Sequence, residues 1–384
     1  MLTLRRAAMV LCLALLGLTG CSSTEKVEPA KLHSIKPEIE LKRLWNVNVG
    51  GYDGKLLTFS PVIVEDRIFA LGHKGNVVAL NLANGKKIWE QKLKAEASSG
   101  LGADRQHLYL ALFDGRVIAL DQADGQVVWE GRVSSEALAP PQSNGRLVAV
   151  QTIDGKLFGL EADTGAQRWV YSSASPTLSL RGSATPLIIR EVTYAGFANG
   201  DVVAIENRTG GTVWQRKVGV PTGRTELERL VDIDGGLLLD DGVLYTVGYQ
   251  SKVAALDAVN GRELWSKPAS SLRTPASGYS NLYYVADDGD VVALSKASQA
   301  DVWRQEGLKH RALGEPAAFL DLIAVGDFEG YVHFLSQLDG RFVARIRPDS
   351  KGVRSQPLYA NGVIYILGND GKLSAWRVLE SNKE

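Results

Sequence analysis

The sequence predicts an all-β fold, an eight-bladed β-propeller with four-stranded antiparallel blades. Three observations support this prediction: a phrase that recurs through the chain, a period of about 40 residues, and a copy divided between the two termini. The recurring phrase is a run of alternating apolar residues that mostly closes on a tryptophan. Its full copies end at Trp89, Trp129, Trp169, Trp214, Trp265, Trp303 and Ala344, where the tryptophan is lost.

Each copy of the phrase is expected to form a pair of antiparallel strands. In "GRVIALDQADGQVVW", residues 115–129, apolar side chains alternate with a period of two, as in a strand with one buried face. The pair Asp114-Gly115 favours a type I′ turn, because aspartate and glycine tolerate positive φ. A second turn is marked by Gly85, Gly125, Gly165, Gly210, Gly261 and Gly340. Two more apolar runs precede each copy, which makes four strands in each blade.

The last copy is divided between the two ends of the chain. It begins at Gly371 and stops after one strand, while Trp45 precedes the first full copy. The N-terminal strand is therefore expected to complete the last blade and close the ring without an open sheet edge. The tryptophans occupy one fixed place in each blade. We expect them to fill the space between neighbouring blades rather than to bind a cofactor or a sugar.

The N-terminal segment predicts export and a lipid anchor. Residues 1–20 combine Arg5 and Arg6 with an apolar stretch that is too short for an ordinary membrane-spanning helix, which is typical of a signal peptide. They lead into "LTGC", residues 18–21, which resembles the lipobox of bacterial lipoproteins. That resemblance implies that Cys21 is lipidated, and Ser22 implies sorting to the outer membrane. Residues 21–40 are predicted to be a flexible tether and residues 41–380 the propeller.

Composition and motifs argue against several classes of function. Cys12 leaves with the signal peptide, so the mature chain has no disulfide, free thiol or cysteine metal site. The 43 basic and 43 acidic residues form no basic stripe for nucleic acid. The histidines are scattered, and the acidic pairs at 240–241 and 287–288 stand in turn contexts. No nucleophile elbow or phosphate-binding loop occurs. We therefore expect no catalytic residue, cofactor or metal.

One enzymatic alternative rests on a resemblance. "GLEADTGAQRW", residues 159–169, resembles the blade motif of the eight-bladed pyrroloquinoline-quinone (PQQ) dehydrogenases. In that family the motif joins blades, so it supports the fold rather than catalysis. Many of these enzymes are much longer and place a disulfide of adjacent cysteines beside the quinone, which this chain cannot form. A PQQ-binding oxidoreductase remains the alternative hypothesis.

Function is expected where the repeats differ from one another. Two consecutive blade entries carry extra chain, residues 172–186 and 220–236. Because strands alternate in direction, both insertions should lie on the face that carries the Asp-Gly turns. They offer Leu178, Leu180 and Arg181 beside Asp232 and Asp234, a mixture of apolar and charged groups that indicates protein docking. The alternative is that the leucines are buried under their own loop and Arg181 pairs within the chain.

The lipobox, the eight repeats, "TLSLRG" and "RLVDIDGG" together resemble the BamB family, the propeller lipoproteins of the bacterial outer-membrane β-barrel assembly (BAM) machinery. The resemblance covers essentially the whole mature chain. It implies a non-catalytic scaffold in the outer membrane that faces the periplasm and assists the insertion of β-barrel proteins.

The resemblance also implies a partner and its contacts. The partner is BamA, and through it the rest of the BAM complex, while unfolded outer-membrane proteins are candidate substrates. The BamA contacts implied by the resemblance are Leu178, Leu180, Arg181, Asp232 and Asp234. Departures from the repeat, at Ala344 and Gln250-Ser251, are expected to lie away from this patch. A lipoprotein scaffold of another envelope complex is a further alternative.

Overall fold

The fold is the predicted all-β propeller. A computed structural model of the protein describes residues 27–51, 59–72, 74–174, 176, 178, 184–225, 227–233 and 235–380. Within these residues the strands form eight four-stranded antiparallel sheets. Blades 1 to 7 each take four consecutive strands, and blade 8 combines the last three strands with the first.

The first half of the ring consists of four blades built from short strands. Blade 1 contains β2 (Val62–Val64), β3 (Arg67–Gly72), β4 (Asn76–Asn81) and β5 (Lys87–Lys92). Blade 2 contains β6 (Gly102–Ala103), β7 (His107–Ala111), β8 (Arg116–Asp121) and β9 (Val127–Arg132). Blade 3 contains β10 (Gln142–Ser143), β11 (Leu147–Thr152), β12 (Lys156–Glu161) and β13 (Gln167–Ser172). Blade 4 contains β14 (Leu187–Ile188), β15 (Val192–Gly196), β16 (Asp201–Glu206) and β17 (Thr212–Lys217).

The second half of the ring follows the same order. Blade 5 contains β18 (Leu238–Asp240), β19 (Val243–Val247), β20 (Ser251–Asp257) and β21 (Glu263–Ala269). Blade 6 contains β22 (Ala276–Ser277), β23 (Asn281–Val285), β24 (Val291–Ser295) and β25 (Asp301–Gln305). Blade 7 contains β26 (Ala317–Phe319), β27 (Leu322–Gly326), β28 (Val332–Ser336) and β29 (Phe342–Ile346). Blade 8 contains β30 (Leu358–Ala360), β31 (Val363–Leu367), β32 (Lys372–Glu380) and β1 (Ile39–Asn48).

The two middle strands of each blade carry most of the core. In blade 2 the third strand, β8, is buried at its four central positions, whereas the fourth strand, β9, is buried only at Trp129. A strand that is buried on both faces has a continuous run of apolar residues. In a strand at the rim, buried and exposed side chains alternate. The first strands of neighbouring blades lie against one another at the centre of the ring.

Closure of the ring by the N-terminal strand is confirmed. β1 pairs antiparallel with β32, with Trp45 opposite Ala375 and Asn48 opposite Lys372. The hydrogen bonds of this pair join residues more than 300 positions apart in the chain. The last blade is thereby completed, and the ring closes between blades 8 and 1.

The tryptophans join each blade to the next, as predicted. The Trp129 indole Nε1–H donates to the Ala162 carbonyl, 2.7 Å away, in the turn between the third and fourth strands of blade 3. In that turn Gly165 has φ of +70°, and a Cβ there would lie 2.4 Å from the Trp129 ring. Glycine is therefore required by both the backbone angle and the close approach of the ring.

The missing tryptophan at Ala344 follows from the same contact. A tryptophan in blade 7 would pack on the turn between the third and fourth strands of blade 8. No such turn connects them, because β32 leads to the C-terminus and β1 enters from the N-terminal side. A partial exception occurs at Trp265, where the corresponding turn of blade 6 has Gln299 with φ of +61°, and this tryptophan is only half-buried.

Part of the segment predicted to be a tether is hydrogen-bonded to the propeller. Ala30 N–H donates to the Lys309 carbonyl at 2.9 Å, and Glu38 N–H donates to the Val343 carbonyl at 2.8 Å. We call residues Ala30–Glu38 the strap. The strap was not predicted, because its polar, proline-containing composition resembles that of a coil and the groups that hold it lie in blades 6 and 7.

Candidate docking surface

The turns between second and third strands define one face of the disc, which we call the turn face. A loop that leaves a fourth strand returns to this face: Val133 N–H donates to the Gly115 carbonyl at 2.9 Å, and Val218 N–H donates to the Gly200 carbonyl at the same distance. The opposite, back face carries the remaining turns within blades. Both insertions follow fourth strands, so the described residues at their starts lie on the turn face, as expected.

The two insertions meet at a single turn of blade 4. At the start of the first insertion, Ser173 Oγ accepts a hydrogen bond from Asn199 Nδ2, 3.1 Å away. From the second insertion, Ile233 N–H approaches the Phe197 carbonyl at 3.4 Å. Phe197 and Asn199 belong to the same turn, so the described parts of both insertions lie side by side.

Only part of the predicted patch can be located. Leu178 is described, and 41 % of its surface is exposed, so it is available to a partner. Leu180, Arg181 and Asp234 lie outside the described residues, as does Cys21. Both arrangements of Arg181, pairing within the chain and contact with a partner, therefore stay predictions.

The second insertion contains a short hydrogen-bonded turn. Glu228 N–H donates to Thr225 Oγ1 at 3.2 Å, and Glu228 Oε2 accepts from the backbone N–H of Arg224 at 2.6 Å and of Thr225 at 3.2 Å. This reciprocal pattern is that of a capping box. The two backbone donors lower the pKa of Glu228, because they stabilise its ionised form.

The second insertion also presents exposed apolar side chains that were not predicted from the sequence. Leu227 is 70 % exposed, and Val220 at the start of the same insertion is 61 % exposed. The Thr225-x-x-Glu228 spacing is a local signal for such a turn. It could have shown that Leu227 lies in a capped turn separate from the apolar residues that follow.

The second half of the same insertion is buried. Ile233 is fully buried in the core shared by blades 4 and 5, and Leu230 and Val231 are nearly so. Asp232 between them is only 2 % exposed, and its carbonyl accepts a hydrogen bond from Tyr249 N–H at 2.8 Å. Asp232 was expected to be exposed for contact with a partner, but in the unbound chain it is buried. It belongs to the buried segment that attaches the second insertion to the propeller.

The departure from the repeat at Gln250 also proves to be part of this surface. Gln250 and Ser251 replace the Asp-Gly pair of this turn, and Gln250 has φ of +45°. With its amide nitrogen facing the insertion, the side chain donates to the carbonyls of Leu230 at 3.0 Å and Glu228 at 3.1 Å. The expectation that this position lies away from the patch is wrong, because the Gln250 side chain contacts the insertion that contains Asp232.

A cleft of about 520 Å³ continues along the turn face from Tyr249 across blades 5 to 7. Asp287, Asp288 and His310 are among its lining residues. Among the described residues, no three or more histidine, cysteine or acidic side chains are grouped in a way that could hold a metal ion.

The acidic residue Asp240, on the back face, accepts hydrogen bonds from Lys296 Nζ at 2.5 Å and Ser277 Oγ at 2.8 Å.

The described part of the chain contains no helix with the length and apolar character needed to cross a bilayer.

Comparison with known proteins gives one consistent family. A family model described as "Outer membrane protein assembly factor BamB" matches residues 42–92, 73–305 and 287–382. A protein of that name from Pseudomonas aeruginosa is 48 % identical over 374 residues, which cover 97 % of this chain and 98 % of the relative. Its counterpart from Marinobacter adhaerens is 45 % identical, with 97 % of each chain covered.

Solved structures agree with this assignment. The crystal structure of BamB from Moraxella catarrhalis matches with a TM-score of 0.81 and 28 % identity, over 88 % of this chain and all of that one. The quinohemoprotein alcohol dehydrogenase from Comamonas testosteroni matches with a TM-score of 0.71 at 14 % identity, over 90 % of this chain and 77 % of the enzyme. At that identity the likeness shows only a shared propeller fold. The chain belongs to the BamB family of outer membrane protein assembly factors.

Proposed function

We propose that this protein is a non-catalytic scaffold of the outer-membrane protein assembly machinery that docks on BamA through the two insertions of its turn face. The observation that carries the proposal is the meeting of both insertions at the Phe197–Gly200 turn. The names of the relatives support a role in outer-membrane protein assembly. In this proposal Cys21 is lipidated, and the propeller stands in the periplasm at the inner surface of the outer membrane.

The geometry of the surface suits docking to a folded domain. Exposed Leu178, Val220 and Leu227 supply apolar contacts on loops, and Arg224 and Arg229 on the second insertion are also exposed. Apolar anchors within a charged rim are typical of protein interfaces. Beneath them the buried segment around Ile233 gives the second insertion a rigid base, which reduces the entropy lost on binding.

The proposal assigns different roles to the predicted contact residues. Leu178, Leu180, Arg181 and Asp234 would meet BamA directly, together with Leu227. Asp232 would act by holding the second insertion in place. The complex would position the periplasmic part of BamA while unfolded outer-membrane proteins arrive for insertion.

The test is binding of purified BamA periplasmic domains to variants of matched exposure. Leu227→Asp should weaken binding by roughly 30-fold or more, as expected for a central interface anchor. The control is Val259→Asp, because Val259 is 79 % exposed but lies in a turn of the back face of blade 5. Both variants should alter stability by less than about 0.5 kcal/mol, since exposed positions tolerate substitution.

Two further variants test the residues outside the described part of the chain. Leu180→Ala and Arg181→Ala should weaken binding without changing the unfolding midpoint. If Arg181→Ala lowers the midpoint and leaves BamA binding intact, Arg181 is a structural residue. If Leu227→Asp and Val259→Asp both bind like the unchanged protein, the docking surface is elsewhere.

The absence of catalysis is tested separately. The purified propeller, supplied with PQQ and calcium, should show neither stoichiometric quinone binding nor alcohol oxidation. Stoichiometric binding of the quinone would favour the oxidoreductase alternative.

A further inference from the structure

The strap crosses the outer side of blade 7 from the turn face to the back face. It starts beside Lys309 and Arg311, in the loop that follows the fourth strand of blade 6, and this loop contacts the turns of the turn face: His310 N–H donates to the Asp288 carbonyl at 2.8 Å. It ends where Glu38 N–H donates to Val343 on β29, next to the start of β1. The chain that precedes Ala30 therefore leaves the propeller on the turn face.

The turn-face end of the strap is held by a buried arginine. Arg311 is 3 % exposed, and its Nε–H donates to Asp327 Oδ2 at 2.8 Å. A second nitrogen of the same guanidinium donates to Glu329. A third, Nη1, donates to the Ala30 carbonyl at 2.9 Å. A buried guanidinium requires acceptors for its donors, and the strap supplies one of them.

The rest of the strap is held by two more arginines and one apolar contact. Arg345 Nη1 donates to the His33 carbonyl at 2.9 Å, while its Nε donates to His333 Nδ1 at 2.9 Å. Arg341 forms a bidentate ion pair with Glu38 at 2.9 and 2.8 Å. Leu32 packs against the core shared by blades 6 and 7. Contacts thus extend along the whole strap.

This attachment shortens the segment between the propeller and the proposed anchor at Cys21, which we call the leash. Ala30 is nine positions after Cys21, and even a fully extended chain of that length reaches only about 30 Å. A leash that ran to the start of β1 would contain 18 residues and could reach about 60 Å, starting from the back face. The strap therefore determines both the reach of the leash and the face from which it leaves.

We propose that the strap orients the disc so that its turn face, at blades 6 and 7, is turned toward the lipid surface. The inference rests on the proposed lipid anchor at Cys21. It adds a consequence for docking: a partner bound to the insertions of the turn face lies on the membrane-proximal side of the propeller. The back face is then directed toward the periplasm.

The test compares two labelled positions at opposite ends of one strand. Ser298 and Glu306 flank β25, on the back face and the turn face respectively, and both are exposed. Each is replaced by cysteine in the full lipidated chain, labelled with a fluorophore, and bound to phospholipid vesicles that carry headgroup nitroxides. We expect quenching at Glu306→Cys to be several-fold stronger than at Ser298→Cys.

Release of the strap should abolish this difference. The variant that combines Arg345→Ala with Leu32→Ser removes two of the strap's attachments, and the matched control Arg347→Ala removes an arginine whose Nε donates to Glu329 instead. The quenching ratio should fall toward one in the first and stay unchanged in the second. A flexible insert directly after Cys21 provides an independent variant that leaves the blades untouched and should also bring the ratio toward one.

The outcomes separate this inference from the proposed anchor. Two labels per chain, or failure to bind vesicles, would show that Cys21 is not lipidated and would contradict the anchor itself. One label per chain with equal quenching at both positions, or stronger quenching at Ser298→Cys, would overturn the orientation. The orientation would also be overturned if the ratio of quenching at Glu306→Cys to that at Ser298→Cys stayed unchanged after both strap release and leash extension.

Discussion

Removal of the Trp129 indole tests whether contacts between blades stabilise the ring. Trp129 is 7 % exposed, and its ring packs on Gly165 of the next blade while its N–H donates to the Ala162 carbonyl. Truncation of a buried tryptophan to alanine costs about 3–5 kcal/mol through lost burial and the cavity left behind. Trp129→Ala should therefore lower the free energy of unfolding by about that amount.

A second variant separates ring burial from the hydrogen bond. Trp129→Phe retains an aromatic ring against Gly165 but cannot donate to Ala162. Loss of one hydrogen bond costs on the order of 1 kcal/mol, and the smaller ring adds to this. Trp129→Phe should therefore be destabilised, but clearly less than Trp129→Ala.

Urea unfolding at constant pH measures these differences. Tryptophan fluorescence and far-ultraviolet circular dichroism should give coincident transitions if a single unfolding step is observed. The matched control is Val128→Ala, since Val128 neighbours Trp129 on β9 but is 44 % exposed, and a change of less than about 0.5 kcal/mol is expected. If Trp129→Ala is no less stable than Val128→Ala, the tryptophans do not hold the blades together.

Three further predictions use the same measurement. Ala344→Trp should destabilise by about 1–3 kcal/mol, because Ala344 is buried and no turn in blade 8 can receive the ring; a gain in stability would contradict this account. Gln299→Gly should stabilise by about 0.5–1 kcal/mol, because it relieves a positive φ of 61° in a residue with a side chain; an unchanged or lower midpoint would oppose it. Burial lowers the pKa of His333 below 6.5, so the unfolded chain binds a proton that the native chain does not. Stability should fall as the pH drops below 6.5, by at most about 1.4 kcal/mol per pH unit, and His333→Gln should lose this dependence between pH 7.5 and 5.5.

The fold could be predicted from sequence because its determinants are local and repeated. Alternation at a period of two and the turn residues define each hairpin, and the copy divided between Gly371 and Trp45 indicates how the ring closes. The role of the tryptophans followed from one fixed position in every blade except blade 7, which has Ala344. Spacing alone also located both insertions, because a loop after a fourth strand must return to the turn face.

Within the insertions, tertiary contacts decided which side chains are buried. Leu227 and Ile233 are both apolar residues of one loop, yet the first is 70 % exposed and the second fully buried. The difference depends on blades 4 and 5, since the Phe197 carbonyl and Tyr249 N–H hold the segment around Asp232. Nothing in the local sequence "RLVDIDGG" indicates these two hydrogen-bond partners.

The strap depended entirely on tertiary structure. Residues 30–38 have the polar composition of a coil, and two of their carbonyls are bound by Arg311 and Arg345, which lie 281 and 312 positions further along the chain. Every residue has a backbone carbonyl, so a hydrogen bond to that carbonyl does not require any particular side chain at the same position. The sequence by itself therefore determined the blades, the ring and the location of the loops. The folded ring alone brought these arginines to the strap and thereby decided the face from which the N-terminal chain leaves.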